Sequence, residues 1–339
     1  MQVFKLKQAD NLGFGYSNRD EREKQILLAM VGPILFALLC HLKREVVNDL
    51  GGLDKIKLRQ LARNHKSGFG DCGISFEYSV HSAIRNNNPL VMERIQYALK
   101  MCKISGNQTT SILLGFEKQG VLQISDHWIN NMNSESEVIT GAYGESTRIY
   151  DYRYDIRNAF HNKKIRDNIP PVIRGIWRAD LFIGNTDSNM WVATSVKINR
   201  QLLQYDNGLY LGIVAATGGR DIPFFRKDGM LVCPLPLGNG FMQYFYTAWR
   251  IVEEFIRKDA GLPEVRHLYR PADRQVAKFL FSKRDENVLD LVDDDLKKLA
   301  HPTLVESVTP DVTILDVLGN PINSDTGLTL VVPDSIIYP

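Results

Sequence analysis

Two residues of this chain combine type and position in a way that points to chemistry. Asp180 stands in the apolar run Gly175-Ile176-Trp177-Arg178-Ala179-Asp180-Leu181-Phe182-Ile183-Gly184, and Lys197 in Trp191-Val192-Ala193-Thr194-Ser195-Val196-Lys197-Ile198. Both runs read as buried strands, short and rich in β-branched and aromatic residues. A charge inside such a strand is costly unless a partner offsets it. The spacing of the two residues suits a hairpin, which would bring acid and ammonium together. Hydrolysis of a phosphodiester asks for that pair. A carboxylate holds Mg²⁺, which prefers oxygen ligands and keeps waters, and a lysine orients the attacking water or offsets the growing negative charge.

Upstream, Glu77 lies in Gly73-Ile74-Ser75-Phe76-Glu77-Tyr78-Ser79-Val80-His81-Ser82-Ala83-Ile84, a predicted helix. Taken in order, Glu77, Asp180 and Ser195-Val196-Lys197 resemble the PD-(D/E)XK nuclease superfamily, the restriction-endonuclease-like fold. The likeness covers residues 67–258 and rests on short motifs and on the order of elements around them. It implies an α/β fold with a central mixed β-sheet flanked by helices. The family places a Glu on its first core helix, an Asp at the start of a core strand, and an acid-X-Lys motif on the next strand. By resemblance, Asp180 and Glu77 hold Mg²⁺ or Mn²⁺, Lys197 orients the water, and the substrate is DNA. The function so implied is a Mg²⁺-dependent endonuclease of the prokaryotic restriction or anti-phage defence type.

The pattern departs at Ser195, which stands where the second acid is expected. Strand alternation puts Ser195 and Lys197 on one face and Val196 on the other. Ser195 is then a secondary, water-mediated ligand, or the chain is a non-catalytic DNA-binding or complex-forming module on the same fold. Each residue also has an ordinary reading. Glu77 would pair with His81 at i+4. Asp180 would pair with Arg178 or Lys197, and Lys197 would reach out from a strand end.

The approach to Asp180 is basic. Residues 148–178 hold eight Lys and Arg against three acids, and residues 43–70 hold seven against three. Lys163, Lys164, Arg166, Arg174 and Arg178 are placed to contact phosphates, which positions a duplex without reading its sequence. Asn199 and Arg200, just after Lys197, suit phosphates or base edges. The formal net charge of +2 conceals an asymmetry, since residues 285–339 hold eleven acids and two lysines. A basic body with an acidic end fits a polyanionic partner and a tail that folds back on the body. Asp151 and Asp155 share a helix face with interleaved arginines and read as a salt-bridged surface. The loop Gly68-Phe69-Gly70-Asp71-Cys72-Gly73 lacks the Gly-Lys-Ser/Thr of a Walker A loop, and there is neither an HExxH nor a GxSxG motif.

These residues need a scaffold. At 339 residues, 44% apolar and 24% charged, the chain has the composition of a folded globular protein of one large or two ordinary domains. Its four cysteines show no CxxC spacing, which argues against a disulfide framework or zinc ribbon and fits a reducing cytoplasm. The first residues lack signal-peptide architecture. The apolar stretch Ile26–Cys40 is shorter than the roughly 20 residues of a spanning helix and contains Gly32-Pro33. It reads as a buried core helix or an interface with a second copy or a protein partner, with a membrane-associated subunit as the alternative.

The pattern predicts one Pro-kinked helix over 20–50, a short basic helix over 54–64, and helices over 75–86 and 90–101. Strands are expected at 110–116, 120–124, 175–184, 191–198, 209–216 and 229–235. A helix or turn is expected over 151–160, and a long amphipathic helix closes the core at 241–258. Three segments result: an N-terminal helical segment (1–66), a nuclease-like α/β core (67–284), and an acidic, β-rich C-terminal appendage (285–339).

Overall fold

The computed structural model describes residues 12–65, 70–114, 132–140, 144–203, 209–216, 222–237, 240–268 and 270–296. Among them lies a mixed α/β fold with a mixed open sheet and helices flanking it. Five helices come first: α1 Leu12–Cys40, α2 Arg44–Asp49, α3 Leu58–Asn64, α4 Asp71–Arg85 and α5 Pro89–Met101. Strands β1 Thr109–Leu113, β2 Glu137–Ile139 and β3 Ser146–Thr147 follow, then α6 Arg153–His161. The centre of the sheet is built from β4 Leu181–Asn185, β5 Met190–Lys197, β6 Leu211–Ala215, β7 Phe224–Phe225 and β8 Leu231–Leu235. Helices α7 Phe241–Arg257 and α8 Pro271–Ser282 complete the layer behind it.

The strand order is β1-β4-β5-β6-β8-β7. Strands β1, β4 and β5 run antiparallel in turn, β5, β6 and β8 run parallel, and β7 closes the edge antiparallel. The eight residues of β5 serve two partners on one side. Its first half pairs with β2 and its second half with β6. Gly184, in the β4–β5 hairpin, faces the Met190 carbonyl so closely that a Cβ there would lie 2.1 Å from that oxygen, so the hairpin closes only with glycine.

Alternation divides the core. On one face Leu181, Ile183, Val192, Val196, Leu211 and Ile213 meet the helices. Helix α1 lies inside that layer against α4, α7 and α8, with Leu27, Val31, Ile34, Leu35 and Leu38 fully buried. Its Asp20–Cys40 stretch also has the length and apolarity of a membrane span, and most of it is covered by protein. On the other face Phe182, Trp191 and Ala193 meet a layer formed by residues 149–176, through Ile149, Ile156, Ala159, Ile169, Ile173 and Ile176. Behind the sheet, Asp273 at the start of α8 is fully buried and ion-paired with Arg250 of α7 at 2.9 Å. Arg270 also pairs with Asp273, and reaches Glu23 of α1.

Several elements differ from their sequence expectations. The strand expected over 175–184 begins only at Leu181, because Pro171–Arg178 is a 3₁₀ helix. Its apolar residues Ile173, Ile176 and Ala179 recur every third position and are all buried, which matches three residues per turn. The helix expected over 20–50 breaks between Cys40 and Arg44, and Gly51 and Gly52 end α2 with positive φ. Helix α4 starts at Asp71, so the end of the expected glycine loop is helical. Helix α8, which the pattern does not predict, starts with Pro271 at its first position and Asp273 accepting from the Arg270 N–H. Residues 288–296 are helical rather than β, and Val288, Leu291 and Leu296 are buried in the main core. The rest of the expected C-terminal appendage, and the strand expected at 120–124, lie outside the described residues.

Candidate active site at the carboxyl ends of the parallel strands

Asp180 immediately precedes β4, and its backbone is tied on both sides. Its N–H donates to the Thr194 carbonyl at 2.8 Å, and its carbonyl accepts from Leu114 N–H at 2.9 Å. The β4–β5 register pairs Leu181 with Thr194, so Asp180 stands opposite Ser195. Its Oδ2 accepts three hydrogen bonds: from Ser195 Oγ at 3.0 Å, from the Val196 backbone N–H at 2.8 Å, and from Lys197 Nζ at 2.8 Å. The Ser195 and Lys197 side chains reach Asp180 from one side of β5, as alternation requires.

Glu77 joins from the helical layer. It lies on α4, whose Phe76, Val80 and Ile84 enter the core. Its Oε1 accepts from Lys197 Nζ at 2.8 Å. One ammonium therefore lies between two carboxylates brought from a helix and from the start of a strand. The side chains of Asp180, Glu77 and Lys197 are 8, 13 and 28% exposed. Burial alone would pull the Lys197 ammonium down. Asp180 and Glu77, by charge and hydrogen bonding, outweigh burial and hold it above the ordinary lysine value. The cluster sits at the carboxyl end of β5, beside the ends of the parallel strands β6 and β8. Open α/β sheets bind their ligands at that end.

Glu77 does not take His81, the i+4 partner open to it in sequence. His81 Nδ1 meets Ser111 Oγ of β1 at 2.7 Å. Burial, helped by Arg85, pushes the imidazole down to about 3, so it is neutral near pH 7 and offers a carboxylate no charge.

A divalent cation fits this donor set in kind. Two carboxylates already converge on one cationic nitrogen, and Mg²⁺ is commonly held by one or two carboxylates with water completing its shell. Among the described residues no cluster of three or more His, Cys, Asp or Glu is grouped to hold an ion. Ser195 Oγ donates to Asp180 and so braces the carboxylate.

The basic residues are placed less uniformly. Lys164 and Arg178 are exposed. The Arg166 guanidinium lies over the Trp177 ring, 4.4 Å from its centroid, and its Nε donates to the Ala159 carbonyl. Arg200 lies 4.7 Å over the Phe224 ring. Asn199 caps a short turn by accepting from Gln201 N–H at 2.9 Å, so the amide expected at a base edge is engaged locally. The side chains of Lys163 and Arg174 lie outside what the structure describes. Asp151 and Asp155 are solvent-exposed, with Arg153 stacked on Tyr150 and Tyr154 between them. The Val196 N–H is the contact that side-chain reasoning passes over. A backbone donor leaves no mark on residue type.

No family model, curated protein or solved structure matches the chain.

Proposed function

We propose that this protein is a Mg²⁺- or Mn²⁺-dependent nuclease with a restriction-endonuclease-like core, hydrolysing phosphodiester bonds in DNA. The observation that carries the reading is the Lys197 ammonium held 2.8 Å from both Glu77 and Asp180. Asp180 and Lys197, from neighbouring strands, meet Glu77, 120 positions before Lys197, at a strand end, and their order along the chain is the one that the PD-(D/E)XK resemblance implies. Prokaryotic restriction or anti-phage defence is the setting that the same resemblance suggests.

Asp180 and Glu77 would hold the metal, and the metal when bound would activate a water and offset charge on the phosphate. The remaining work belongs to the chain itself. Val196 N–H and Ser195 Oγ fix the orientation of the Asp180 carboxylate, which removes the cost of organising it during reaction. Lys197 keeps its proton because of its two acidic neighbours, so it acts as a donor to the water or to a phosphate oxygen and not as a general base. Lys164 and Arg178 offer phosphate contacts that position a strand without reading it.

A second reading rests on Ser195. The Ser195 hydroxyl completes a cluster that is satisfied by protein alone, as a structural network would be, and this favours a DNA-binding or complex-forming module without catalysis. Plasmid and oligonucleotide cleavage with Mg²⁺ or Mn²⁺ separates the two. The nuclease reading expects wild type to cut and Lys197→Ala to lose at least a hundredfold in rate, about the scale of one lost electrostatic group. Equal cleavage by the two proteins, or none by wild type with either metal, rejects it.

A further inference from the structure

Residues 148–178 cover the sheet face that carries Phe182 and Trp191, and they lead directly into Asp180. The inner side of this layer is apolar. Ile149, Ile156, Ala159, Ile169, Ile173 and Ile176 bury it against the sheet. Its outer side is built from stacked cations and rings. The Arg153 guanidinium lies 4.2 Å from the Tyr150 centroid and 4.5 Å from that of Tyr154. Arg166 lies over Trp177, three positions before Asp180. Arg148, Lys164 and Arg178 of the same segment are exposed.

Packing explains Trp177, which is half-buried against the core of this layer, but not Tyr154. Helix α6 is anchored by Ile156 and Ala159, whereas Tyr154 is 64% exposed and adds nothing to the core. Isolated surface aromatics are common. Two arginine–aromatic stacks in one basic segment form a pattern of their own. Each guanidinium is held over a ring and by one backbone carbonyl, Arg153 Nη1 donating to Tyr150 and Arg166 Nε to Ala159. A guanidinium has five N–H donors, so further ones remain to meet a phosphate. An exposed ring beside it offers a π-face to an unpaired base, which the stacked interior of a duplex does not present.

We propose that this layer binds single-stranded nucleic acid, with Tyr154 and Tyr150 as base-stacking rings and Arg153, Arg166 and Arg178 along the phosphates. The inference rests on the nuclease reading only in naming the substrate of that site as a single strand, or as the unpaired stretch of a duplex. It makes the Arg153 and Arg166 stacks an approach to Asp180 rather than surface ornament. Binding should weaken as salt rises, because Arg153, Arg166 and Arg178 would displace counterions from the phosphates, while the exposed Asp151, Asp155 and Asp167 of the same segment lower its strength.

Fluorescence anisotropy with a labelled 20-nucleotide oligo-dT and with a duplex of equal length, both in EDTA, tests the surface without cleavage. The single strand should bind about tenfold more tightly than the duplex, and Tyr154→Ala should weaken single-strand binding about fivefold while Tyr154→Phe keeps it. Tyr154 is exposed, so these variants should fold, and the melting temperature checks that. Equal affinity for the two nucleic acids, or Tyr154→Ala binding like wild type, overturns the inference. Cleavage of the same oligonucleotides with Mn²⁺ is scored separately. Tyr154-dependent binding without any cleavage supports the surface and refutes the nuclease. Metal-dependent cleavage with no single-strand preference refutes the surface and keeps the nuclease.

Discussion

Two of the buried clusters of acids and cations among the described residues are built differently. Behind the sheet, Asp273 takes Arg250 and Arg270, and Arg270 also takes Glu23, so that helices α1, α7 and α8 are tied together. At the strand end, Lys197 is shared by Asp180 and Glu77, with a backbone N–H and a hydroxyl completing the Asp180 shell. The first cluster uses arginine, whose planar fork holds carboxylates in fixed geometry, and it joins helix to helix. The second uses lysine, a compact charge on a flexible stem, and lies where the parallel strands end. A fold that needs only a clamp is well served by the first design. The second suits a place where one cation must make room for another.

The comparison can be broken most easily at the clamp. Asp273 has no solvent exposure, so Asp273→Ala removes the carboxylate shared by Arg250 and Arg270 and should cost about 2–3 kcal/mol in urea unfolding, while leaving any response to divalent metal intact. The cost is less than for a wholly buried pair because Arg270 keeps Glu23 and Arg250 is 35% exposed. A loss below about 1 kcal/mol would mean that the two clusters do not differ in structural weight.

The Lys197 cluster should show itself in alkali. A lysine whose folded value is raised contributes stability that is full below its unfolded value and fades as pH rises through the folded one. Lys197 is raised above the ordinary 10.5. The stability difference between wild type and Lys197→Met should therefore be level through neutral pH and shrink only above about 10.5. A difference that changes between pH 6 and 9 would contradict the geometry.

The smallest expected effect is that of Ser195→Ala. It removes one donor of three from Asp180 Oδ2 and should cost about 1 kcal/mol, with metal affinity nearly unchanged. A metal affinity that falls tenfold or more would make Ser195 a ligand and not a brace.

Much of this site is legible in residue order. Period-2 alternation in 191–197 puts Ser195 and Lys197 on one face, and the β4–β5 hairpin brings Asp180 opposite them, because strand pairing is a local consequence of a short turn. The amphipathic run behind α7 is equally plain. Other parts depend on long-range packing. Glu77 has an i+4 partner in sequence, yet it meets Lys197, 120 positions away, because α4 lies along the sheet and His81 is taken by Ser111. The segment before Asp180 reads as strand from its apolar density. Its three-residue rhythm, with Pro171 at the start, makes it a 3₁₀ helix. Residues 288–296 look like the start of an acidic appendage. Their spaced apolar side chains nonetheless enter the core, with Leu296 against Gly32 of α1.

On the nuclease reading, Asp180 and Glu77 form a cation site rather than a second clamp. Calorimetric titration of the intact protein with Mn²⁺ tests it most directly, alongside Asp180→Asn and Glu77→Gln, with urea unfolding to confirm that each variant is folded. The account expects wild type to bind Mn²⁺ at one site and each variant to bind at least tenfold more weakly, a loss of about 1.4 kcal/mol or more. No binding by wild type, or equal binding by a folded Asp180→Asn variant, would contradict it.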